Sequence, residues 1–144
     1  MAIAAGTCVG LGLGENTLAA LITRGLAELS RIGTALGGES QTFYGLSGVG
    51  DVILTCSSRQ SRNRQVGEGL GRGQTLKEVL GSLKGTAEGV KTSRSVHQIL
   101  KKERLEAPIL QEIYSVLYEE KPAKEAVRAL MGREPKSEFS AAKS

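Results

Sequence analysis

Apolar residues recur at helical spacing along most of the chain. Leu18, Leu21, Ile22, Leu26, Leu29, Ile32 and Leu36 form one stripe, which predicts a long helix from a cap at Asn16 to about Leu36, stopped by Gly37-Gly38. Few charges interrupt it, so both flanks are expected to be covered and this is the expected central helix of the core. Before it, a short apolar start ends in Gly10-Leu11-Gly12-Leu13-Gly14. That run lacks the third glycine of a GxGxxG loop and no convincing strand precedes it, so it reads as a hinge between helices. Ser40 starts a short helix through Tyr44, and glycines from Gly45 to Gly50 form a turn. The β-branched residues of Asp51-Val-Ile-Leu-Thr-Cys56 would also suit a buried strand, but no partner strand is visible and a short helix is expected.

Downstream the punctuation is clearer. Ser61 begins a helix that runs to about Leu70 and stops at Gly71-Arg72-Gly73. Thr75 caps the next, with Glu78 at the capping-box position. A loop from Gly85 to Gly89 leads to a helix over about 90–102, with Val96, Ile99 and Leu100 inward. Pro108 and Pro122 open the last two helices. The pattern predicts one all-α domain of six to eight helices over residues 1–133, followed by a polar, fraying tail over 134–144. No repeat period runs along the chain, which excludes a solenoid.

Composition narrows the chemistry. The 144 residues suffice for one domain with a real core. Cys8 and Cys56 have no CxxC spacing and His97 is the single histidine, so no zinc site is expected and the thiols read as buried and free. Two such cysteines suit a reducing compartment. Trp is absent and aromatics are 3%, which argues against base-stacking platforms. No apolar run reaches the length of a membrane span. Net charge is +4 but uneven: residues 58–105 hold eleven Lys/Arg and four Glu, net +7, between flanks of net −2 and −1. The middle third is therefore the expected meeting place for an anion.

Within that third lies Ser61-Arg62-Asn63-Arg64, ten residues after the lone acid Asp51. A serine N-cap, the free N–H groups of a first helical turn, the positive end of the helix dipole, a guanidinium and an amide together suit a small phosphorylated molecule. A capped surface helix with solvated arginines is the plainer alternative.

Four blocks then fall in register: Ala-Leu-Ile-Thr-Arg-Gly-Leu-Ala-Glu (20–28), Gly-Leu-Ser-Gly-Val-Gly-Asp-Val-Ile-Leu-Thr-Cys (45–56), Ser-Arg-Asn-Arg (61–64) and Ala-Glu-Gly-Val (87–90). Together the chain resembles, over Met1 to about Arg133, the C-terminal domain of bacterial-type NAD(P)-dependent glycerol-3-phosphate dehydrogenases. The resemblance implies the helical half of a 6-phosphogluconate-dehydrogenase-like two-domain enzyme, whose other half is a Rossmann domain holding the nicotinamide cofactor. It implies reversible hydride transfer between NAD(P)H and dihydroxyacetone phosphate, giving sn-glycerol 3-phosphate for phospholipid synthesis in the cytoplasm, commonly as a homodimer and with no metal. By matching positions, Asp51 is the acid that orients the catalytic lysine and the substrate hydroxyl. Ser61, Arg62 and Asn63 are substrate-binding. Arg62, Thr86 and Glu88 meet the cofactor, with Thr86 departing from the usual apolar residue, so that any contact there uses its backbone. Thr55 faces the same cleft or is a plain core position. His97 is expected to have no catalytic role.

The family's general acid/base is a lysine just upstream of the Ile-Ala-Ala-Gly stretch that begins this chain, and the first lysine here is Lys77. The expectation is a chain cut from something longer and inactive in isolation. Two alternatives remain: an orphan helical assembly domain without catalysis, and a nucleic-acid module using Arg59, Arg62, Arg64 and Arg72. No nucleic-acid or membrane partner is expected.

Overall fold

The computed structural model describes residues 1–133, and over these the chain is all-helical. The eight α-helices are α1 (Ala2–Gly10), α2 (Glu15–Ala35), α3 (Asp51–Ser57), α4 (Arg62–Gly71), α5 (Leu76–Ser82), α6 (Glu88–Glu103), α7 (Pro108–Tyr118) and α8 (Ala123–Met131). A 3-10 helix over Ser40–Tyr44 and a π-helical turn over Leu46–Gly50 join α2 to α3. The expected tail, 134–144, lies outside the described residues.

The caps form as their chemistry dictates. Ser61 Oγ accepts the Arg64 N–H at 3.3 Å. Thr75 and Glu78 complete a capping box, each side chain bonded to the other's backbone N–H. Gly12, with φ of 73°, makes the sharp bend between α1 and α2 that an L side chain would resist. One expected cap is corrected. Asn16 lies inside the first turn of α2, and extended Gly14 takes the cap position with no side-chain bond. The helix expected over 90–102 starts earlier, at Glu88.

The expected centre of the core is corrected as well. Along α2, Leu18, Leu21, Ile22, Leu26 and Leu29 are half-buried, and Leu36 is 56% exposed. The enclosed helix is α1, buried from Ala2 to Cys8. Its partner is α4, and the two meet backbone to backbone. A Cβ added at Gly6 would overlap the Arg64 carbonyl, and one at Gly67 would overlap the Ile3 carbonyl. Helices with no side chains at their crossing approach closely, so a helix of small residues is enclosed more completely than a leucine-rich one. The main core joins Ile3, Ala4, Val66, Leu70, Val79, Ala87, Ile109, Ile113 and Leu117. A second cluster of Ile32, Leu100 and Ala107 seals α2 against α6 and α7.

Cys8 and Cys56 are buried free thiols, as expected, and burial raises both above the ordinary thiol range. No helix of the described residues is long and apolar enough to cross a membrane.

Candidate functional site

The structure draws the basic tetrapeptide and the loop before α6 together. Arg62 is exposed at the first position of α4, and its Nη1 donates to the Thr86 carbonyl at 3.3 Å. Asn63 follows one residue on, and its Oδ1 accepts the Gly89 N–H at 2.8 Å. The cap residue of α6 is Ala87, which has no side chain able to satisfy the free N–H groups of that helix. Asn63 supplies the missing acceptor from 26 residues away. Two helix starts, each with unpaired N–H groups and a positive dipole end, thus share one edge of the domain.

Ser61, Arg62, Asn63, Thr86 and Glu88 are therefore placed in one neighbourhood. Thr86 enters through its backbone oxygen, engaged by Arg62. Glu88 is exposed in the first turn of α6, where an acid complements the dipole. Asp51 stands apart in the hydrogen-bond pattern. It is exposed in the first turn of α3, with Gly50 rather than Asp51 in the cap position, and its carboxylate caps nothing. Its helix is held to α4 by Arg64, whose Nη1 donates to the carbonyl of Ser57, the last residue of α3. Thr55, one turn beyond Asp51 on α3, is half-buried.

The arginine cluster divides into two kinds. Arg64 is 8% exposed and pairs with Glu68 at 3.2 Å, and Glu68 also engages Arg72. Arg64 therefore braces α3 to α4 and is unavailable to a polyanion. His97 lies elsewhere, stacked on Tyr114 with ring centroids 3.6 Å apart on the α6–α7 seam. Among the described residues, no group of three or more His, Cys, Asp or Glu is placed to hold a metal ion.

Sequence reasoning missed Glu28. It is 5% exposed, yet its two carboxylate oxygens accept the N–H groups of Ile109 at 2.9 Å and Leu110 at 3.2 Å. It thereby caps α7, whose own cap position is Ala107. Burial raises the Glu28 carboxyl above its ordinary range, and the two N–H bonds oppose that rise. The available signal was negative: Ala107 before Pro108 has no side chain that can cap, which leaves the start of α7 open to an acceptor from elsewhere in the fold. Glu28 lines an apolar groove of about 480 Å³ bounded by α1, α2, α7 and α8, and Ser61, Arg62 and Asn63 are not on its walls. A smaller cavity of about 170 Å³ does reach the tetrapeptide, lined in part by Asn63, Gly89, Thr92, Ser93 and Met1.

Residues 1–128 match the family model described as NAD-dependent glycerol-3-phosphate dehydrogenase C-terminus. Fold and match place the chain in the class of helical C-terminal domains of nicotinamide-dependent dehydrogenases. A glycerol-3-phosphate dehydrogenase [NAD(P)+] of Geobacter sp. (strain M21) is 54% identical over 138 residues, which are 96% of this chain and 41% of the relative. That of Chlorobium chlorochromatii is 51% identical over the same shares. The 2.1 Å crystal structure of glycerol-3-phosphate dehydrogenase from Coxiella burnetii superposes with a TM-score of 0.89 at 41% identity, covering 92% of this chain and 41% of that one. The chain belongs to the NAD-dependent glycerol-3-phosphate dehydrogenase family, in its C-terminal part, and spans about two fifths of the relatives it matches.

Proposed function

We propose that this chain is the substrate-side half of a glycerol-3-phosphate dehydrogenase. In this reading the start of α4 holds the phosphate of sn-glycerol 3-phosphate or dihydroxyacetone phosphate. Arg62 presents a planar fork to its oxygens, and Ser61, Asn63 and the free N–H groups of the first turn supply further donors. Asp51 orients the substrate hydroxyl. Arg62, Thr86 and Glu88 form the edge that meets the nicotinamide cofactor, whose remaining contacts belong to a Rossmann domain. The observation that supports the reading is the pair of bonds from Arg62 to Thr86 and from Gly89 to Asn63, which join the start of α4, proposed here for the substrate, to the loop before α6, proposed here for the cofactor. An exposed guanidinium beside a helix start fits an anionic group there.

A nicotinamide cofactor held at this edge would supply the hydride that reduces the substrate carbonyl. The carbonyl oxygen must then take a proton, which needs a titratable donor within hydrogen-bond reach. Among the described residues, the lysines in ion pairs are Lys102, with Glu103, and Lys121, with Glu112, and none pairs with Asp51 or Glu88 as the family lysine would. We therefore propose that the chain binds substrate without turnover alone, and that pairing as a homodimer, a cytoplasmic setting and supply of a phospholipid precursor belong to the complete enzyme. Calorimetric titration with sn-glycerol 3-phosphate tests this. Saturable binding that Arg62→Ala abolishes supports the reading, whereas identical heats from both proteins, or NADH consumption with dihydroxyacetone phosphate, refute it.

A further inference from the structure

We propose that Gly89 is a positioning residue for substrate recognition: its N–H fixes which end of the Asn63 amide faces the ligand. This rests on the assignment of the α4 start to a phosphoester. An asparagine side chain has an acceptor end and a donor end of nearly equal shape, and a half-turn exchanges them. A backbone N–H can only donate. The 2.8 Å contact with Gly89 therefore requires Oδ1 on that side and turns Nδ2, with its two hydrogens, the other way. Among the described residues Nδ2 donates to no protein acceptor, and Asn63 is half-buried on the wall of the smaller cavity. An anion needs a donor, and this orientation offers two N–H bonds to it.

The contact also explains why residue 89 is glycine. A Cβ there would stand 2.7 Å from Asn63 Oδ1 and 2.8 Å from its Cγ, closer than real contacts allow. The backbone at 89 has no positive φ, so alanine would fit the helix itself. What alanine displaces is the tip of the Asn63 side chain, which can swing away at little structural cost. The same loop makes a second close approach at Gly85, where a Cβ would lie 2.6 Å from Arg62 Nη1. The loop is thus moulded around both polar side chains.

The test is a double-mutant cycle on the whole chain, with sn-glycerol 3-phosphate titrated by calorimetry into the unaltered protein, Gly89→Ala, Asn63→Ala and the double variant. Gly89→Ala should fold as well as the parent, because alanine favours a helix over glycine. It should nevertheless bind about tenfold more weakly, the scale of one hydrogen bond to a charged group. The double variant should bind as Asn63→Ala does, because Gly89 acts only through that amide. In the free protein, Gly89→Ala should also shift the Asn63 side-chain NH₂ resonances. Unchanged affinity in Gly89→Ala, or losses that simply add in the double variant, would overturn the inference while leaving the phosphoester assignment standing. Failure of the unaltered protein to bind would overturn that assignment, and this inference with it.

Discussion

Replacing Gly67 by alanine should destabilise the domain even though alanine is the better helix former. The new Cβ would overlap the Ile3 carbonyl oxygen and lie 2.7 Å from the Thr7 amide nitrogen. Those are backbone atoms of a helix buried over seven consecutive residues, so no side chain can rotate to make room. Relief requires α4 to retreat from α1 by on the order of 1 Å, which loosens the packing of Val66 and Leu70 beside it. Overpacking of this kind costs roughly 1–3 kcal/mol, and the propensity gain of alanine returns about 1 kcal/mol. With backbone on both sides of the clash the cost should sit at the top of its range, leaving a net loss of about 2 kcal/mol. Gly81→Ala is the control, because a Cβ there meets nothing within 4 Å and Gly81 is exposed inside α5. It should gain up to about 1 kcal/mol by propensity alone. Urea melts followed by circular dichroism read both. A Gly67→Ala midpoint at or above that of the parent would refute the close helix crossing as the centre of the fold.

Glu28 makes stability depend on pH with a definite sign. Burial holds its folded carboxyl above the ordinary 4.5, so between that value and the raised one the folded protein keeps a proton that the unfolded chain has released. Stability from this group is full below 4.5 and falls as pH rises through the window. Glu28→Gln should remove that slope, gaining on the parent as pH climbs from 4.5 to neutrality; parallel urea-midpoint curves for the two proteins would disprove it. Glu28→Ala should cost roughly 2–4 kcal/mol at and below pH 4.5, where the group's contribution is full, and less as pH rises through the window, because two helix-start N–H groups lose their acceptors. Thr75→Ala should cost about 1 kcal/mol by opening the capping box of α5, read as a lower thermal midpoint with unchanged ligand binding.

Local signals were readable in the chain; signals that depend on tertiary approach were not. Ser61 as a cap, and Thr75 with Glu78 as a capping box, follow from residue type and spacing within four positions, and each formed. The blocks around Asp51, Ser61 and Glu88 likewise carried the family. Burial misled because it was judged by hydrophobic size. The leucines of α2 drew attention to a helix that is only half-covered, while the alanines and glycines of α1 gave no hint of being enclosed. That enclosure comes from backbone approach at Gly6 and Gly67, a property of the pair of helices. Glu28 over α7 and Asn63 over α6 were hidden for a related reason. Each caps a helix 81 or 26 residues away, and the visible trace is only a cap position, Ala107 or Ala87, with nothing to offer.

The sharpest discrimination lies between the two cavities. Backbone amide spectra of the isotopically labelled chain, recorded during titration with sn-glycerol 3-phosphate, report where the ligand sits. Saturating shifts at Arg62, Asn63 and Arg64, together with Thr86 through Gly89, are the predicted result. Shifts confined to the apolar groove around Glu28 and Ile109, with the α4 start unmoved, would contradict it.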